Sequence, residues 1–168
     1  MEHVLLSVHV LAAIVFVGGS AVAASLFPRY APIAATTPPA PEADTATPPT
    51  SAPDADPVGE RNRAVAASMH RITRGYALFG LVVPMAGIAL AIVQGRMGEI
   101  WINVSMTLTL VAGVLLATQI YPRQREALRN PGGTRPLRRL SMLAGIYNLV
   151  WAAVVVLMIV RPGSEAGA

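Results

Sequence analysis

The chain has 168 residues, 54% of them hydrophobic, with a mean hydropathy of +0.53, a formal charge of +4 and no cysteine. The hydropathy exceeds that of ordinary soluble domains and comes from four apolar runs of about 20 residues each, so the composition describes one membrane domain. The missing cysteines exclude disulfides, thiolate metal sites, iron–sulfur clusters and cysteine nucleophiles; the thirteen basic residues, all arginine, flank apolar segments rather than forming a separate basic domain, which argues against nucleic acid as a partner.

Residues 4 to 27, VLLSVHVLAAIVFVGGSAVAASLF, are uncharged and long enough to cross a bilayer as one helix. Ala21, Val22 and Ala23 form a signal-peptidase-like site, but no Lys or Arg precedes the segment, so it is expected to remain as a spanning helix. On that helix His9, Ala12, Ala13, Phe16, Ser20 and Ala23 share a face, and the small residues there would let a neighbouring helix approach His9.

Residues 31 to 60 change character abruptly, with eight prolines, five acids and hardly any large apolar side chain. Such a stretch cannot bury enough surface to offset its ordering entropy, so a disordered, partly polyproline-II loop is expected there. From Glu60 to Arg74 the pattern becomes helical, with Arg63, His70 and Arg74 on one basic face suited to anionic headgroups. This helix is expected to lead into a second span at about 75 to 94, kinked at Pro84. A third span is expected at about 100 to 121, then a polar, arginine-rich connection from Pro122 to Arg139 with a turn at Asn130–Gly133, then a fourth span at about 140 to 160. The expected fold is all-α, a four-span transmembrane helical bundle forming a single domain over residues 1–168.

Two residues are candidates for a binding site. His9 sits inside the first apolar run, and Asn148 lies about 13 Å along the last span from its basic end. An amide at that depth needs either a partner on another helix or a ligand. His3 and His9 are separated by about 240° around a helix and cannot chelate one ion together. The Met1-Glu2-His3 terminus could instead wrap a square-planar Cu(II) ion from its amine, amides and imidazole. No nucleophile–base–acid constellation is visible, since Glu99 and Glu126 are expected in loops, which argues against an enzyme and leaves the catalytic set empty.

The runs V-H-V-L-A-A-I-V-F-V-G-G (Val8 to Gly19), L-F-P-R-Y (Leu26 to Tyr30) and H-R-I-T-R-G-Y (His70 to Tyr76), followed by Pro84 and Gly87, resemble a family of predicted bacterial integral membrane proteins known as a domain of unknown function. More distantly they resemble the copper-resistance D proteins and the four-helix protoporphyrinogen oxidases, whose first helix carries a histidine, a glycine about ten residues on and a P-R exit. The resemblance implies a four-helix membrane architecture and a haem ligand at His9. Of the oxidases' N-E-x-P signature in the last helix, Asn148 alone remains, and no lysine fills their basic position.

The functional expectation is a small multi-pass protein of the bacterial cytoplasmic membrane that serves as an accessory or assembly component. The alternative is a haem- or copper-linked redox protein using His9. Its expected partners are the lipid bilayer and other membrane proteins or a second copy of the chain. Eleven of the thirteen arginines fall between the first and second or the third and fourth spans, so positive charge places those loops in the cytoplasm and both termini outside.

Overall fold

The computed structural model describes residues 2–33, 57–79, 85, 88, 92, 95 and 98–163; the side chains of residues 2–10, 12, 57 and 79 lie outside that description. Among the described residues every regular element is helical. Helix α1 covers Glu2–Tyr30. Its described outward residues include Leu11, Ile14, Val15 and Val22, while Ser20, Ala23, Ala24 and Phe27 are buried. Large aliphatic groups thus face outward, with small residues and Phe27 inward, the arrangement expected when lipid is the solvent and helices associate through close packing.

Helix α2, Pro57–Phe79, runs antiparallel to α1. At one end Tyr76 donates its hydroxyl to the Val15 carbonyl at 3.1 Å and packs edge-on against Phe16, with ring centroids 5.1 Å apart. Gly19 makes this possible, because a Cβ there would lie 2.1 Å from the Tyr76 hydroxyl oxygen. At the other end Gly59, Glu60 and Arg63 stand beside Arg29–Ile33. Residues 57–60, expected in the loop, are helical instead: Pro57 has the fixed φ that suits a first helical position and needs no donor there. The rest of the expected loop, residues 34–56, lies outside the described residues.

Most of the expected second span, 75–94, also lies outside them, including Pro84; Gly75–Phe79, Met85, Ile88 and Ile92 are helical. Gly95 then turns the chain at φ +65°, a conformation glycine adopts without steric cost.

The third apolar run continues further than expected. Helix α3, Ile100–Leu115, passes through a π-helical turn, Leu116–Ile120, into α4, Tyr121–Arg129. The polar residues 122–129 and Glu126 among them are therefore helical, not loop. Pro122 explains the wider turn. Within a regular α-helix its ring would crowd the carbonyl one turn back, and it has no N–H to offer. The π turn absorbs the misfit, with the Tyr121 N–H reaching the Leu116 carbonyl, and Arg123 bonds to the Gln119 carbonyl at 3.0 Å.

After the turn at 130–133, helix α5 covers Thr134–Val160, six residues longer at its start than the apolar pattern suggests. It packs against α1 and α3. Where α3 begins and α5 ends, Trp101 donates to the Glu99 carboxylate, and the Arg161 guanidinium sits 5.6 Å from the Trp101 ring centroid. This cluster closes one end of the bundle.

Among the described residues three helices are long and apolar enough to cross a membrane, Ala13–Tyr30, Ile100–Arg129 and Thr134–Val160, which makes the chain a multi-pass membrane protein. The continuous 30-residue run from Ile100 to Arg129 is about 45 Å long at 1.5 Å per residue, matching the roughly 40–45 Å of a bilayer with its headgroups. About twenty of its residues suffice for the hydrocarbon layer, so the run is long enough to continue past it to headgroup depth.

Candidate functional site

Two side-chain hydrogen bonds between helices lie along the α1–α5 seam. Tyr147, 1% exposed, donates to Ser20 Oγ at 2.8 Å, and Ser20 passes its own proton to the Val17 carbonyl at 3.1 Å. One residue on, Asn148 donates through Nδ2 to Ser25 Oγ at 2.9 Å. Its interhelical partner is therefore a hydroxyl on α1. Burying these groups without partners would cost a few kcal/mol each, so the pairs fix the register of the two helices. Phe16 and Tyr147 both meet the Trp151 ring edge-on, with centroids at 6.2 and 6.3 Å.

Beside the seam lies a shallow lateral groove of about 350 Å³ lined by Val17, Ala21, Asn148, Trp151, Ala152, Val155 and Val156. Its lining residues are apolar apart from Asn148 and the indole of Trp151. Asn148 Oδ1 is buried and has no hydrogen-bond partner among the described residues. Flipping the amide would not help Asn148, because Ser25 can engage only one of its two polar atoms at this site.

A second polar cluster lies at headgroup depth. His70 on α2 stacks on Tyr121 of α4 with centroids 4.9 Å apart and planes at 10°, and its Nδ1 is 3.4 Å from Gln124 Oε1. Gln124 is fully buried, and its Nε2 has no partner. Burial lowers the His70 pKa below its ordinary 6.5; the Gln124 bond opposes this, and Arg125 and Arg74 add to it. The predicted basic face of α2 is thus divided in its roles: His70 meets α4, Arg63 reaches the Leu128 carbonyl at 3.5 Å, and Arg74 is exposed.

Of the two residues singled out from sequence, Asn148 belongs to the seam. His9 lies on the α1 backbone eleven residues before Ser20, and its side chain is outside the described ones. Buried Gln124 and Trp151 and half-buried Ser25 are partners not singled out from sequence. For Gln124 the signal was present: Ile120, Gln124, Ala127 and Leu128 follow an i, i+4, i+7, i+8 pattern through the arginine-rich stretch. Among the described residues no three His, Asp or Glu side chains come together as a metal site. In comparisons with known proteins, no family model, no curated protein and no solved structure matches the chain.

Proposed function

We propose that this multi-pass protein is an accessory or assembly component of the bacterial cytoplasmic membrane, offering the lateral groove on α1 and α5 to a transmembrane helix of another membrane protein. The observation that carries the reading is Asn148, which lines an apolar groove and whose Oδ1 is buried without a partner among the described residues. A lipid chain has no donor to offer, whereas a helix bearing a hydroxyl or amide could supply one to the amide once it turns toward the groove. The small residues Ala21 and Ala152 on opposite walls would allow its backbone to come close.

The orientation that fits this role has both termini outside. It is supported by the eleven arginines in the last turn of α1, in α2, in α4 and at the start of α5, with only Arg96 and Arg161 elsewhere.

Photo-crosslinkers placed at Ala152 and Val156 in living cells test the proposal, with Val111, an exposed residue of α3 away from the groove, as the reference. A discrete membrane-protein adduct at the groove positions and none at Val111 is expected. Equal, diffuse labelling at all three positions would remove the proposal. The rival role, haem- or copper-linked redox chemistry at His9, rests on the sequence resemblance. A Soret band in protein purified from haem-replete cells that is lost in His9→Ala, or stoichiometric copper lost in the same variant, would replace the accessory reading.

A further inference from the structure

At the arginine-rich end of the bundle, the last turn of α1, the first turns of α2 and the α4–α5 turn enclose an open hollow of about 600 Å³. This is within the size range of small-molecule sites. Its walls carry two guanidinium groups, Arg29 and Arg63, both on exposed residues, together with Tyr30, Asn62 and one acid, Glu60. Arg29 makes no hydrogen bond or ion pair among the described residues, and Arg63 makes only the long bond to the Leu128 carbonyl. Glu60 is in the first turn of α2, where its charge complements the positive end of that helix.

The depth of the hollow selects its occupant. Pro131, just past the end of the 45 Å run from Ile100 to Arg129, is on its rim, and Arg29 ends the apolar span of α1. Two forked cations with spare donors therefore stand at the edge of the headgroup layer, while Ile33 and Pro32 give one wall an apolar surface. We infer that this hollow binds the phosphodiester headgroup of an anionic membrane lipid. The guanidinium forks engage the phosphate oxygens and Tyr30 lies at the interface. This goes beyond the groove proposal, since it uses different residues at a different depth.

The test is lipid retention by the full-length protein in detergent, read by native mass spectrometry after incubation with equal amounts of phosphatidylglycerol and phosphatidylcholine. Wild type should keep phosphatidylglycerol selectively. Arg29→Gln/Arg63→Gln should lose that preference by roughly 30-fold, the product of two contacts near an anionic surface. Arg138→Gln/Arg139→Gln removes the same charge from exposed positions at the same end and should retain it. Equal loss in both double variants would overturn the site in favour of diffuse surface charge, as would the absence of any preference in wild type. Displacement of the lipid by millimolar inorganic phosphate would overturn the lipid assignment in favour of a soluble phosphate ligand. Should the first double variant fail to fold, Arg29→Gln alone, which breaks no bond among the described residues, supports or refutes the same comparison.

Discussion

Gly19→Ala tests whether the α1–α2 contact depends on one missing methyl group. The added Cβ would lie 2.1 Å from the Tyr76 hydroxyl oxygen and 2.7 Å from its Cζ, so the ring must move. Moving it breaks the bond to Val15, worth about 1 kcal/mol between membrane helices. It also disturbs the edge-on contact with Phe16, worth about 0.5–1.5 kcal/mol, and adds overpacking strain of about 1–3 kcal/mol. Alanine returns up to about 1 kcal/mol in helix propensity. The net loss is about 2–4 kcal/mol, and at roughly 2–4 °C per kcal/mol for a chain of this size the melting temperature should fall by about 8 °C. Gly18→Ala is the control, because a Cβ there meets nothing within 4 Å; it should melt at or slightly above the wild-type temperature. Melting followed by tryptophan fluorescence in detergent suits the question, since Trp151 is 6.2 Å from Phe16 in the same packed group. In a Tyr76→Ala background the Gly19→Ala penalty should vanish, the signature of direct coupling. Equal melting of Gly19→Ala and wild type, or an undiminished penalty without Tyr76, would refute the reasoning.

The seam should show the asymmetry of a donor chain: Ser20→Ala strands the buried Tyr147 hydroxyl and should cost about 1–3 kcal/mol, whereas Tyr147→Phe leaves Ser20 bonded to Val17 and should cost about half that, as read from denaturant midpoints. His70 takes up a proton less readily in the folded protein than in the unfolded chain, so stability should be complete above pH 6.5 and fall as the pH drops below it; comparing melting at pH 7.5 and 5.5, His70→Phe should lack this dependence while retaining the stack on Tyr121. A reporter fused after Ala168 should be active only on the outer side of the membrane, and activity confined to the cytoplasm would reverse the topology. Deleting residues 36–55 should leave accumulation in the membrane unchanged, because closing a shorter loop alters stability little.

The apolar runs made the membrane class and most helix positions legible. The length of an apolar run shows how much chain the hydrocarbon layer can hold, and nothing about how far the helix continues beyond it. That is why α4 and the first six residues of α5 were read as connection: their arginines suggested loop, yet at headgroup depth a charged helix is solvated as well as a loop would be. The π turn was hidden for a related reason. Pro122 signals a helix end in water, whereas here packing of Leu116, Ile120 and Gln124 into the core keeps the chain helical and the turn widens instead.

The candidate site was legible only in part, and the division follows the same physics. Asn148 stood out because an amide in an apolar run is costly wherever it points, so depth alone singled it out. Its partner did not: Ser25 could have bonded to its own helix backbone, as Ser68, Thr73 and Thr109 do, and only the crossing of α1 with α5 turns that hydroxyl toward another chain segment. Gly18 and Gly19 make the same point, since adjacent identical residues have opposite surroundings, one open and one filled by a tyrosine hydroxyl. What separates them is a rotation of 100° about the helix axis, and that becomes chemically meaningful only once a second helix is in place.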